Sequence, residues 1–131
     1  MTGSDQEIER VILAELAVGV DLLAAAGFSG AHVSVTRHPR TETATISLGG
    51  RFDACTDRDF EATVEVDPAR LGWRLEGHLW EYLDSRDSVD QVAFLGSHRV
   101  ESEEHAIQYA QLLSTAACVA LRDRLALLTG R

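Results

Sequence analysis

Hydrophobic residues recur at spacings of three and four along the first 26 residues of the chain. This periodicity predicts an amphipathic helix over roughly residues 5 to 26. Ser4 followed three residues later by Glu7 has the spacing of a capping box, which predicts where the helix begins. Gly27 stands where a left-handed residue commonly ends a helix, and Phe28 is then placed to fold back onto the last turn.

The same spacing returns at the other end of the chain and predicts a second helix over roughly residues 103 to 128. Ser102 is a suitable N-cap, and Glu103 and Glu104 complement the positive end of the helix dipole. The inner face is rich in alanine, so another element can approach it closely. Cys118 falls on this face and is expected to be small core filler.

Between the two helices the pattern changes to a period of two, which is typical of half-buried strands. Residues 31–37 and 43–49 both alternate, and a segment with Pro39 in a turn position joins them, which predicts a hairpin. Residues 91–96 predict a further strand. Residues 80–85 fit either an extension of the preceding strand or a short helix.

Residues 58–67 alternate most clearly, with apolar side chains on one face and carboxylates on almost all of the other. They are expected to pair with the alternating residues 73–79, and Trp73 is expected to pack in the core beneath the helices. Pairing Val66 with Trp73 gives two favourable cross-strand charge pairs: Glu65 with Arg74, and Glu61 with His78.

The order helix, five strands, helix predicts a single α+β domain over residues 1–131. We expect a two-layer sandwich in which both terminal helices pack on one face of an antiparallel sheet of about five strands. The other face, which carries the carboxylates, would meet water or a partner.

The chain of 131 residues has 21 acidic residues against 12 basic ones, all arginine, for a net charge of −9. An acidic surface repels phosphate backbones, which disfavours nucleic-acid binding. The apolar runs are too short for a membrane helix, and the acidic first ten residues do not resemble a secretory leader. We therefore expect a cytoplasmic protein that does not bind membranes.

Three residues are candidates for catalysis. Glu76 and His78 alternate onto one sheet face, where a carboxylate beside an imidazole can serve acid–base chemistry. Cys55 lies in an irregular segment near two arginines, which could lower the pKa of its thiol. Because the sequence shows no electrophile stabiliser or pocket, a surface ion pair is favoured over catalysis for the first two, and we predict no catalytic site.

Three other residues are candidates for a metal site, since His98, Glu101 and His105 could face one another at the start of the last helix. Their spacing is not that of an H-E-x-x-H motif. An exposed helix start decorated with acids and a histidine accounts for the same residues, so we predict no metal and no cofactor.

Two resemblances accompany these patterns. The segment DRDFEATVEVDPARLGWRLE, followed by VAFLG and a helix opened by acids, resembles an uncharacterised family of small acidic actinobacterial domains over roughly residues 50 to 115. This resemblance implies a fold outline and an organism class. The size, acidity and helix–sheet–helix order are similar to the type III secretion chaperones and their fold relatives, which hold a partner segment along their sheets. That family's order also requires an internal helix, from residues 80–85 or from residues 51–57.

The preferred hypothesis is a non-enzymatic interaction domain of the immunity, chaperone or inhibitor type. It would dock a basic protein partner through six residues of the carboxylate-rich sheet face: Asp59, Glu61, Glu65, Glu76, Trp80 and Tyr82. The alternative is a small enzyme or ligand-binding domain with a pocket between sheet and helices. A homodimer through the alanine-rich helix or an edge strand is also possible.

Overall fold

A computed structural model of the chain describes residues 3–52, 57–83 and 88–130. These residues form the predicted order of a helix, five strands and a second helix. The elements are α1 (Gly3–Ala25), β1 (His32–Arg37), β2 (Ala44–Arg51), β3 (Arg58–Ala69), β4 (Gly72–Leu83), β5 (Ser88–Val100) and α2 (Glu103–Thr129).

The five strands form one antiparallel sheet in the order β1-β2-β3-β4-β5, so each strand pairs with its neighbour in sequence. Both helices pack on the same face of this sheet and against each other. The apolar side chains of the alternating strands meet the apolar stripes of the helices in one continuous core. The predicted α+β fold, with both terminal helices on one face, is confirmed.

The two helices approach closely where Gly19 of α1 meets Cys118 of α2. A Cβ added at Gly19 would overlap the sulfur of Cys118 and lie 3.0 Å from Leu48. Cys118 is buried, as predicted for core filler, and burial raises the pKa of its thiol to about 11. The small residues therefore set the distance between the helices.

The helix ends largely follow the predictions. Gly27 has a φ of 93°, and the N–H of Phe28 donates to the carbonyl of Leu23 at 2.8 Å, which closes α1 with a left-handed cap. Ser102 caps α2, since its hydroxyl accepts from the His105 N–H at 3.1 Å. At the start of α1, however, the helix begins at Gly3, one residue before the predicted cap Ser4.

The predicted register of the β3–β4 hairpin is wrong by two residues. Val66 lies opposite Leu75, and Trp73 lies opposite Pro68. Only residues 70 and 71 connect the two strands, whereas the predicted strands leave residues 68–72 between them. A slip of two residues keeps every side chain on its predicted face, so the hydrophobic pattern could not reveal it.

This register also changes the charge pairs across the hairpin. Glu65 lies opposite Glu76 instead of Arg74, and Glu61 lies opposite Trp80 instead of His78. Arg74 instead faces Asp67, and its Nη2 lies 3.1 Å from the Asp67 carboxylate.

Two strands are longer than the sequence predicted. β4 continues to Leu83, so residues 80–83 are strand and not a short helix; residues 84 and 85 lie outside the described part. β5 covers residues 88–100 instead of 91–96 and contains two register irregularities against β4. An irregularity of this kind places an extra residue in one strand, which breaks the simple alternation of faces.

Trp73 is half-buried against the rim of the core instead of lying deep beneath the helices, and its indole N–H donates to Asp5 of α1 at 2.6 Å.

Neither helix, within the described ranges, has an apolar stretch long enough to cross a bilayer.

Candidate functional site

The sheet face turned away from the helices, here called the open face, presents an ordered grid of side chains. Because all five strands are antiparallel neighbours, residues paired across them line up in rows. Three rows cross the whole sheet: His32-Gly49-Glu61-Trp80-Gln91, Ser34-Ser47-Thr63-His78-Phe94 and Thr36-Thr45-Glu65-Glu76-Ser97.

Trp80, His78 and Phe94 form an aromatic strip along β4 and β5. The His78 ring stacks on Trp80 with centroids 5.0 Å apart and meets Phe94 at 5.3 Å. Phe94 is 55% exposed. Val89, which lies opposite Tyr82 at one end of the strip, is 54% exposed. These two side chains give the otherwise polar face an apolar surface that a partner could contact.

His78 is held firmly at the centre of the strip. Its Nε2 lies 2.9 Å from Oε2 of Glu76, and its Nδ1 lies 2.6 Å from Oε1 of Gln91. The hydrogen bond from His78 lowers the pKa of the Glu76 carboxyl, against the opposing effect of burial, and Ser97 lowers it further. Only 11% of the His78 side chain is exposed, so the ring is a rigid part of the surface.

The carboxylates of the open face differ in how far they are compensated. Asp59 pairs with Arg51 at 2.8 Å, and Glu61 accepts from the Ser47 hydroxyl at 3.0 Å. Glu65 has no ion pair or hydrogen bond of its side chain among the described residues, and it faces Glu76 directly. The charge that remains available to a partner is therefore concentrated at Glu61 and Glu65.

The six residues predicted to bind a partner all lie on β3 and β4 with their side chains on the open face: Asp59, Glu61, Glu65, Glu76, Trp80 and Tyr82. Sequence reasoning did not identify Phe94 and Val89 as part of this surface. In a regular strand Phe94 would face the same side as Val92, which packs against the core. The register irregularities in β5 turn Phe94 to the other face, and no periodicity in the sequence marks them.

A small enzyme or ligand-binding domain, the alternative function, would need its catalytic residues in a pocket between the sheet and the helices. His78 and Glu76 are adjacent, but they lie on the open face and not in a pocket between sheet and helices. The two ring nitrogens of His78 lie within hydrogen-bond distance of oxygen atoms of Glu76 and Gln91. Cys55 lies outside the described residues.

The candidate metal ligands His98, Glu101 and His105 border one open cavity of about 500 Å³ beside the start of α2. The ring of His98 lies against Tyr109, with centroids 5.4 Å apart. Within residues 3–52, 57–83 and 88–130, however, no three histidine, cysteine or acidic side chains come together as a metal-binding group. The three residues share an opening without forming a ligand set.

Comparison of the chain with protein-family models, with curated proteins and with solved structures gave no match.

Proposed function

We propose that the protein is a non-enzymatic interaction domain that binds a basic segment of a partner protein on its open face. The segment would lie along the aromatic strip, with its cationic side chains against the carboxylates of β3 and β4. Binding of this kind holds or occludes the partner, as an immunity protein, a chaperone or an inhibitor does in the cytoplasm.

The observation that carries this proposal is the pair formed by Glu65 and Glu76. Two like charges directly opposite each other on neighbouring strands destabilise a sheet. Glu65 is half-buried and has no ion pair among the described residues, so its charge is left uncompensated in the free protein. A cation placed between the two carboxylates removes the repulsion, so the pair favours a basic partner over a neutral one.

The exposed apolar side chains supply the contact area that charge alone lacks. Full burial of a phenylalanine side chain contributes roughly 1.5–3 kcal/mol. Because Phe94 is 55% exposed in the free protein, about half of that contribution is left for a partner. Val89 adds to the same surface, and the rigid ring of His78 lies against Phe94, so little ordering is needed on binding.

Selection of random twelve-residue peptides displayed on phage against the purified protein tests this proposal. The enriched peptides are expected to be basic and to bind less tightly as salt is raised. Each selected peptide is then measured against Glu65→Arg and Phe94→Ser, which are both expected to weaken binding by about tenfold or more.

Two matched controls lie on the outer side of α1. Asp21→Arg makes the same charge change at an exposed position on the other layer, and Leu22→Ser removes a side chain that is 54% exposed. Both controls should bind the peptides as the wild type does. The proposal is wrong if the enriched peptides show no basic bias, or if Glu65→Arg and Asp21→Arg reduce binding equally. Concentration-dependent self-association that Phe94→Ser abolishes would instead identify a second copy of the chain as the occupant.

A further inference from the structure

A cavity of about 290 Å³ opens on the face over β1, β2 and β3, next to the aromatic strip. It exists because Gly49 contributes no side chain to a row in which His32 and Glu61 stand on either side. A Cβ at Gly49 would lie 2.5 Å from the carbonyl oxygen of Phe60 on β3, so the close approach of the two strands excludes any larger residue. The gap is therefore a fixed feature of the sheet.

We propose that this cavity binds the guanidinium group of an arginine side chain carried by the basic partner. This inference rests on the proposed function and adds to it the residue type that the face selects.

The charge around the cavity matches a single cation. Two carboxylates line it, but Asp59 is already paired with Arg51. Glu61 accepts from Ser47 through Oε1, and its Oε2 has no hydrogen-bond partner among the described residues. One carboxylate is thus left to pair with a ligand.

The other walls favour a flat cation with several donors over a compact one. The hydroxyls of Ser34 and Ser47 provide acceptors, and the Tyr82 ring provides an aromatic wall beside Glu61. Burial and the charge of Glu61 raise the pKa of Tyr82, which keeps its hydroxyl neutral. A guanidinium can donate several hydrogen bonds in its plane while its face lies on an aromatic ring, and an ammonium cannot do both.

The size and position of the cavity fit a side chain of a bound segment. Pockets for small-molecule ligands usually measure about 300–1,000 Å³, so this cavity lies at the lower limit for a free ligand. Glu61 lies directly opposite Trp80 of the aromatic strip. A segment resting on the strip can therefore direct one side chain into the cavity.

The probe for this inference is arginine blocked at both ends, N-acetylargininamide, titrated into the isotope-labelled protein and followed through amide chemical shifts. The shifts should centre on Gly49, Glu61 and Tyr82 and should saturate with a dissociation constant in the range of about millimolar. The blocked citrulline analogue has the same shape without the charge. It should bind more weakly than blocked arginine by about tenfold or more. Blocked lysine should also bind more weakly than arginine.

Glu61→Gln keeps the shape of the side chain and removes its charge, so it should weaken the binding of blocked arginine about tenfold. Asp21→Asn makes the matching change at an exposed position on α1, away from the cavity and the open face, and should leave the affinity unchanged. The inference fails if citrulline binds as tightly as arginine, if Glu61→Gln binds normally, or if the shifts centre on Glu65.

The two proposals can fail separately. If selected peptides depend on Glu65 and Phe94 but bind Glu61→Gln normally, the interaction face stands and the arginine cavity does not. If blocked arginine binds through Glu61 while no peptide binds the face, the cavity stands and the proposed function does not.

Discussion

Replacing Glu65 by lysine is expected to stabilise the free protein. Glu65 lies directly opposite Glu76 on β4, and Thr45 on its other side is uncharged. A lysine at this position turns a repulsive cross-strand pair into an attractive one. In the register predicted from the sequence, Glu65 lies beside Arg74. The same substitution would then create a repulsion and destabilise the protein.

The size of the effect follows from the distance between the charges. Directly opposite residues have Cβ atoms about 5 Å apart. Two unit charges roughly 6 Å apart interact with about 0.7 kcal/mol in a dielectric close to that of water. Glu65→Gln should therefore stabilise the protein by about 0.5 kcal/mol, and Glu65→Lys by about 1 kcal/mol. For 131 residues this corresponds to a rise in Tm of about 3–4 °C per kcal/mol.

Urea unfolding followed by tryptophan fluorescence at low and at high salt measures this difference. The increase in the free energy of unfolding should be smaller in 1 M salt, where the Debye length falls to about 3 Å. Asp67→Lys serves as the control, because Asp67 is bonded to Arg74 and Thr43 and its loss should lower the free energy of unfolding. A Glu65→Lys variant that is less stable than the wild type at low salt would refute both the register and the charge argument. A stabilised variant that no longer binds basic peptides would show that the repulsion serves binding.

Three further predictions concern other parts of the molecule. Glu81 is buried on the core side of the sheet, where its carboxylate lies 2.9 Å from Arg58 and 3.3 Å from Arg124. Glu81→Ala should therefore lower the free energy of unfolding by about 2–3 kcal/mol in a denaturant titration. A loss below about 1 kcal/mol would contradict the role of this buried network. Cys118 should resist iodoacetamide at pH 8 in the native protein and react in urea, as mass spectrometry of a Cys55→Ser variant can show, because its thiol is buried and its pKa is raised to about 11. The pKa of Glu76 is lowered by folding, so its contribution to stability is present above its ordinary pKa of 4.5 and is lost as the pH falls through the lowered value. In the Glu76→Gln variant the free energy of unfolding should therefore fall less steeply as the pH is lowered into the acid range. An unchanged acid dependence would show that Glu76 does not contribute in this way.

The sequence alone was enough to predict the order of the elements and the faces of residues 58–67 and 73–79. Periods of three to four and of two follow from the local geometry of helix and strand, and the caps at Gly27 and Ser102 are local signals as well. For the same reason the sequence predicted that Glu61 and Glu65 share one face, which Trp80 joins if residues 80–85 extend the strand. Each of these inferences needs only residues that are close together in the chain.

The arrangement of the candidate site was decided by tertiary structure. Which residue faces Glu65 depends on the register of the hairpin, and a slip of two residues changes every cross-strand partner while it leaves every face unchanged. The exposure of Phe94 depends on irregularities in β5, and the cavity at Gly49 depends on three strands being aligned. Pairing between strands is a choice among alternatives with nearly equal local energies, so it is settled by the turn and by the packing of the whole sheet against the helices.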